Sequence, residues 1–113
     1  MTLRGFATVN YWADDLAGAR KWYSELLGVE PYLGIVDRRW APPGTSTAPG
    51  GAIMYWHVDD VRGTVEKLLA MGATEHRPVT ERGPGFVTAS VVDPFGNILG
   101  VMYNRHYVEQ LAQ

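Results

Sequence analysis

The sequence contains no cysteine among its 113 residues. That absence excludes disulfide bonds, thiol catalysis and thiolate metal sites, and it leaves the redox compartment open. No apolar run approaches the roughly 20 residues that span a bilayer, and the segment MTLRGFATVNYW lacks the apolar stretch of a signal peptide. The net charge of −2 gives no electrostatic case for binding nucleic acid or an anionic membrane. We therefore expect a cytoplasmic globular protein.

An internal repeat organises the chain, at a shift of 45 positions. ATVNYWADDLAG (7–18) matches AIMYWHVDDVRG (52–63), so the pair Asp14 and Asp15 corresponds to Asp59 and Asp60. Each copy has a β-branched and aromatic run, then two aspartates, then a helical pattern and a glycine. The repeat predicts two modules of the same kind.

An amphipathic helix is predicted after each pair of aspartates. Apolar residues at helical spacing make the stripes Leu16, Ala19, Tyr23, Leu26 and Leu27, and Val61, Val65, Leu68 and Leu69. Asp14 or Asp15 should cap the first helix and Asp60 the second, because a carboxylate accepts from free N–H groups of the first turn. Gly28 and Gly72 are placed to end them in the left-handed conformation. The aspartates are therefore predicted as helix caps rather than catalytic acids.

The second copy continues with three predicted strands, within 74–81, 85–93 and 97–103, which makes it a βαβββ module. The first copy offers only LGIVDRR (33–39) and is short by about 19 residues, the size of a β-hairpin. The seam would lie between Tyr32 and Leu33. Either the protein has lost a hairpin, or the sequence omits residues that the natural protein contains. We favour omission, because a sheet that lacked two strands would expose its edges and its core.

The predicted organisation has four parts. Residues 1–40 form the incomplete first module, 41–51 a Pro/Gly linker, 52–104 the second module and 105–113 a C-terminal tail.

Three motifs together resemble the vicinal oxygen chelate superfamily of glyoxalases, bleomycin-resistance proteins and extradiol dioxygenases. They are WYSELLG (22–28), VDDV (58–61) and VVDPFGNILGVMYN (91–104). The resemblance implies an α+β fold in which two βαβββ modules, in a pseudo-twofold arrangement, enclose a cavity with curled mixed sheets. It also implies a homodimer whose ligand sites are partly shared between chains.

The same resemblance implies where metal ligands would stand. Three of the four positions hold Thr8, Ile53 and Gly100, and the fourth falls beside the seam. Threonine is a feeble ligand, and isoleucine and glycine have no side-chain donor. We therefore predict no metal and no other cofactor. Because the enzymes of this superfamily rely on their metal, the enzymatic interpretation is weakened.

Strand alternation predicts which side chains face the cavity. The residues assigned to ligand binding are Asn10, Trp12, Trp40, Tyr55, His57 and Met102. An aromatic wall with a few polar groups suits a flat, partly polar small molecule. The alternative is that these side chains only fill the core. Arg38 and Arg39, at the end of a predicted strand, could hold an anionic group, although pairing with Asp37 or another carboxylate is favoured.

Three functions remain open. The first is a metal-free protein of the glyoxalase/bleomycin-resistance type that sequesters an aromatic or antibiotic-like ligand. The second is a lyase or isomerase that uses His57 as acid or base, or an atypically placed divalent metal. The third is a structural or regulatory dimer whose cavity is filled by its own side chains.

Overall fold

The computed structural model describes residues 2–4, 8–30 and 34–111. The first elements in chain order are strand β1 (Asn10–Ala13), helix α1 (Leu16–Leu27), strand β2 (Gly34–Asp37) and a 3₁₀ turn (Arg38–Trp40). The later elements are β3 (Tyr55–His57), α2 (Val61–Ala70), β4 (Thr74–Gly83), β5 (Phe86–Val92), β6 (Ile98–Asn104) and α3 (Arg105–Leu111). The chain divides into two compact units, Met1–Ser46 and Thr47–Gln113.

The first unit joins β1 and β2 in parallel and packs α1 beside them. The helix buries Ala19, Trp22 and Tyr23. The predicted apolar stripe contained Ala19 and Tyr23 but not Trp22. Asp15 caps the helix by accepting from the backbone N–H of Gly18 at 2.9 Å. Gly28 ends it with a φ of 74°, a conformation that costs glycine little.

Strand β2 is shorter than predicted. It ends at Asp37 instead of running to Arg39, because the Asp37 carboxylate accepts from the backbone N–H of Arg39 at 3.0 Å. This side-chain bond offers the backbone an alternative to the extended conformation. A 3₁₀ turn therefore begins where the alternating pattern predicted more strand.

The second unit has a four-stranded mixed sheet in the order β3-β6-β5-β4. Strand β3 lies parallel to β6, and the other pairs are antiparallel. Alternate residues of β5 and β6 pack against α2, and the buried core comprises Val61, Leu68, Ala73, Ala89, Val91, Ile98, Leu99 and Val101. The other side of β5 and β6 carries Thr88 and Ser90, which are buried, together with Gly100 and Met102.

Both units pair their first and last strands in the same way. The N–H of Gly34 donates to the carbonyl of Val9 at 2.8 Å, and the N–H of Gly100 donates to the carbonyl of Met54 at 3.0 Å. Asn10 lies opposite Gly34, and Tyr55 lies opposite Gly100. The two partners are 24 residues apart in the first unit and 45 in the second, so the first repeat is 21 residues shorter. The seam at Tyr32 and Leu33 lies outside the described residues.

The segment predicted as a C-terminal tail contains helix α3. The Asn104 side chain accepts from the N–H of His106 at 3.0 Å, which caps the helix. Arg105 bonds back to the β4–β5 turn, with its N–H 2.8 Å from the carbonyl of Gly85. None of the helices in the described residues is long and apolar enough to cross a membrane.

Candidate functional site

A pocket of about 210 Å³ lies in the second unit, where β3 and β6 end and α3 begins. Its lining comprises Tyr55, His57, Met102, Asn104 and Tyr107. Strand alternation places the first two on one face of β3 and the next two on one face of β6. His57 lies directly opposite Met102 in the parallel pair, so the two strands present a common wall. Tyr107 closes it from α3.

His57 contributes the imidazole of this wall. Its side chain is 23% exposed, and its Nε2 lies 3.5 Å from Oδ1 of Asp59. Its Nδ1 is buried and has no hydrogen-bond partner among the described residues. The rings of Tyr103 and Tyr107 lie 5.7 and 5.0 Å from the imidazole. The orientation of the His57 side chain is therefore set by the Asp59 carboxylate near Nε2 and by the two tyrosine rings beside the imidazole.

The two aspartates of each repeat have different tasks. The second aspartate caps a helix: Asp60 accepts from the N–H of Gly63 at 3.0 Å, as Asp15 does in the first unit. The first aspartate reaches a basic side chain instead, since Asp14 lies 3.2 Å from Nε of Arg38 and Asp59 lies beside His57. The predicted caps, Asp14 or Asp15 for the first helix and Asp60 for the second, are confirmed at Asp15 and Asp60.

The metal-ligand positions implied by the superfamily do not fit a metal. A Cβ added at Gly100 would lie 2.7 Å from Cδ1 of Tyr55 and 2.9 Å from Cγ2 of Ile53, so apolar atoms already occupy this space. The common register makes Gly34 the equivalent of Gly100, which identifies the fourth position. Thr8 is exposed, and its hydroxyl donates to the neighbouring carbonyl of Val9 at 3.3 Å. None of the four offers a strong donor.

No cluster of three or more His, Cys, Asp or Glu side chains that could hold a metal occurs within residues 2–4, 8–30 and 34–111.

The other predicted ligand residues lie in the first unit. Asn10 is exposed and lies across Gly34. The carbonyl of Trp12 accepts from Nη2 of Arg38 at 3.4 Å. Trp40 is 69% exposed, and the guanidinium of Arg39 lies 5.2 Å from its ring centroid. The pocket brings together Tyr55, His57 and Met102 of the predicted set, while the roles of the first-unit residues stay predictions.

Sequence reasoning missed Asn104 and Tyr107. Asn104 is in phase with Gly100 and Met102 on β6, so extending the alternation by one step would have found it. Tyr107 depends on the C-terminal segment turning into a helix, for which the signal was an asparagine cap followed by Arg105 and Glu109 at helical spacing.

No model of a known protein family matches this sequence, and no curated protein does. Solved structures do match over nearly the whole chain. A glyoxalase-related enzyme from Fulvimarina pelagi has a TM-score of 0.71 at 20% identity, over 90% of this chain and 89% of that one. A member of the glyoxalase/bleomycin resistance protein/dioxygenase superfamily from Sphaerobacter thermophilus has a TM-score of 0.63 at 17% identity, over 88% and 98%.

A bleomycin resistance determinant encoded on the transposon Tn5 has a TM-score of 0.56 at 19% identity, over 89% of this chain and 98% of that one. These similarities show that the chain has the vicinal oxygen chelate fold, an α+β fold with mixed sheets, as the motifs predicted. At such identities they show the fold alone, because this fold carries several unrelated activities.

Proposed function

We propose that this chain, which has the vicinal oxygen chelate fold, is a metal-free protein that binds and sequesters a small aromatic molecule. One observation carries the proposal: where the fold's metal would stand, Ile53 and Tyr55 pack against Gly100, and an aromatic pocket lies beside them. The site thus keeps a ligand cavity while it lacks the donors for metal chemistry.

The lining suits one aromatic ring that carries a polar substituent. Tyr55 and Tyr107 offer ring surfaces for stacking, and Met102 offers a polarisable thioether. Asn104 and His57 add polar atoms at the edge of the pocket. A few polar groups on an apolar wall orient a ligand without adding a large desolvation cost.

The volume limits what the second unit can enclose by itself. A cavity of about 150 Å³ holds benzene, so 210 Å³ holds one ring with a short substituent. An antibiotic-sized ligand needs more surface. We propose that the pseudo-twofold pairing of the two modules supplies it through Asn10, Trp12 and Trp40, and that the chain forms a homodimer that shares the site. A cytoplasmic location belongs to the same proposal.

Methionine methyl resonances test the binding. Titration with p-cresol and a panel of planar aromatic compounds should shift the methyl signal of Met102, assigned with Met102→Leu. The signal of Met71, which does not line the pocket, is the internal control and should stay in place. If no compound moves the Met102 signal, the pocket is not a ligand site.

Tryptophan fluorescence tests the extended cavity. Quenching by large planar antibiotics that disappears in Trp12→Phe or Trp40→Phe would support participation of the first unit. Quenching unaffected by both substitutions would confine the ligand to the second unit.

Elemental analysis of the purified protein tests the metal-free part. Less than stoichiometric zinc, nickel, iron and manganese is expected. One equivalent of any of them would overturn it.

The second candidate is a lyase or isomerase that uses His57 as a general base. The proximity of Nε2 to Asp59 favours it, because a carboxylate can orient an imidazole and stabilise its protonated form. The direct assay is deuterium incorporation next to the carbonyl of an aromatic ketone such as benzylacetone in D₂O. His57→Gln should abolish exchange if the enzyme interpretation is right. Exchange no faster than in buffer would remove it for this substrate class.

A further inference from the structure

We infer that the ligand of this pocket carries a carboxylate, and that Arg82 on β4 binds it. The inference rests on the proposed function, because it assumes that the aromatic part of the ligand occupies the pocket. It adds the chemical class of the ligand and a residue outside the pocket lining.

The face of the sheet that carries Met102 continues beyond the pocket onto β5. Thr88 of β5 lies directly opposite Met102, and Ser90 lies opposite Gly100. Directly opposite residues of an antiparallel pair project from the same face. The face that carries Met102 therefore extends onto β5 as a pair of hydroxyl side chains.

These two hydroxyls are buried and hold two basic side chains of β4. Thr88 is 7% exposed and accepts from Nε of Arg82 at 3.1 Å. Ser90 is 1% exposed, and its Oγ lies 2.8 Å from Nδ1 of His76. A basic group tied to a buried hydroxyl loses side-chain freedom before any ligand arrives, which lowers the entropy cost of binding.

Arg82 has no acidic partner among the described residues. Its neighbour Glu81 lies opposite Val87 in the ladder, so the carboxylate of Glu81 belongs on the other face. The Asp59 carboxylate lies beside His57. Because Nε is used by Thr88, the two terminal nitrogens of Arg82 remain for an anion. A guanidinium binds a carboxylate through two parallel hydrogen bonds.

The spacing suits a short linker between ring and carboxylate. Thr88 lies one strand beyond Met102, and neighbouring strands lie about 4.8 Å apart. The Arg82 guanidinium, on the strand after that, donates to the Thr88 hydroxyl. We therefore expect an aromatic ring in the pocket, with a two-carbon chain ending in a carboxylate, to reach Arg82. Hydrocinnamate is the simplest such compound, and hydrocinnamide is its neutral match.

Calorimetric titration of the full chain with this pair tests the inference. Wild type should bind hydrocinnamate about 10-fold or more tightly than hydrocinnamide, the size expected for a charge-assisted hydrogen bond. Arg82→Gln should abolish the preference and leave hydrocinnamide binding unchanged. Arg62→Gln is the matched control, because Arg62 is exposed on α2, which packs against the opposite face, and it should keep the preference.

The Met102 methyl signal separates two kinds of failure. If both compounds shift it and bind equally, the carboxylate inference is wrong while the pocket remains a binding site. If Arg82→Gln keeps the preference for hydrocinnamate as Arg62→Gln does, the assignment of the carboxylate to Arg82 is wrong. If neither compound shifts it, the proposed function fails for this class of ligand, and the inference fails with it.

Discussion

The ring of Tyr107 lies over the ring of His57, with 5.0 Å between centroids and 44° between planes. This contact joins α3 to β3. The rest of the lining comes from strands that are hydrogen-bonded into the sheet, whereas α3 has no buried residue and Tyr107 is 45% exposed. Tyr107 is thus the part of the wall with the fewest packing restraints.

Tyr107→Ala should weaken p-cresol binding by about 3- to 10-fold, the range expected from loss of one aromatic contact. Tyr107→Phe should bind as wild type does, because the ring is retained. Leu111→Ala, on the same helix and 64% exposed, is the control for changes in α3 itself. Calorimetry gives the dissociation constants. Equal affinity in Tyr107→Ala and Leu111→Ala would show that the ring does not contribute.

Gly100→Ala should destabilise the fold by about 1–3 kcal/mol through overpacking. The new Cβ would meet Cδ1 of Tyr55 at 2.7 Å and the backbone carbonyl of Met54 at 2.9 Å, and the carbonyl cannot move freely because it accepts from Gly100 itself. Urea denaturation measures the free energy of unfolding. Gly83→Ala is the matched control, since a Cβ there meets nothing within 4 Å. Similar stability of the two variants would contradict the close packing.

Asp60→Ala should cost about 1 kcal/mol of unfolding free energy, the usual value for loss of a helix N-cap. Asp59→Ala removes the same charge from the adjacent residue, whose carboxylate is 97% exposed, and should change stability by less than about 0.5 kcal/mol. The pair of variants compares one cap with one exposed carboxylate at equal net charge. A larger loss in Asp59→Ala would reverse the assignment of the two roles.

Dialysis against EDTA should leave the affinity for p-cresol unchanged. The residues at the four superfamily positions, Thr8, Gly34, Ile53 and Gly100, supply no strong metal donor. Thermal unfolding with and without added zinc or nickel provides a second readout, and no specific rise in Tm is expected. Loss of ligand binding on dialysis, restored by one metal, would contradict the metal-free site.

The features that sequence predicted best are those set by local chemistry. The cap at Asp60, the left-handed Gly28 and the strands of the second unit follow from short-range rules, and the structure has them. Side-chain bonds that compete with the pattern were harder to foresee, as at Asp37, which ends β2 early. Tyr107 was missed because its position depends on a helix that starts only when Asn104 caps it.

The fourth metal position was inaccessible to sequence comparison for a different reason. The first repeat is 21 residues shorter than the second, and the sequence does not show where this difference falls. The backbone pairing identifies Gly34 directly, because its N–H donates to the carbonyl of Val9.

The two glycines also set a barrier to introducing a metal ligand at their positions. In each unit an added Cβ on the glycine would meet the side chain of its first-strand partner, Asn10 at Gly34 and Tyr55 at Gly100. A coordinating side chain introduced at either glycine would first have to displace that partner. A single substitution would therefore lose packing before it gained a ligand. A metal site at these positions would require paired changes, whereas single substitutions can change the lining of the pocket.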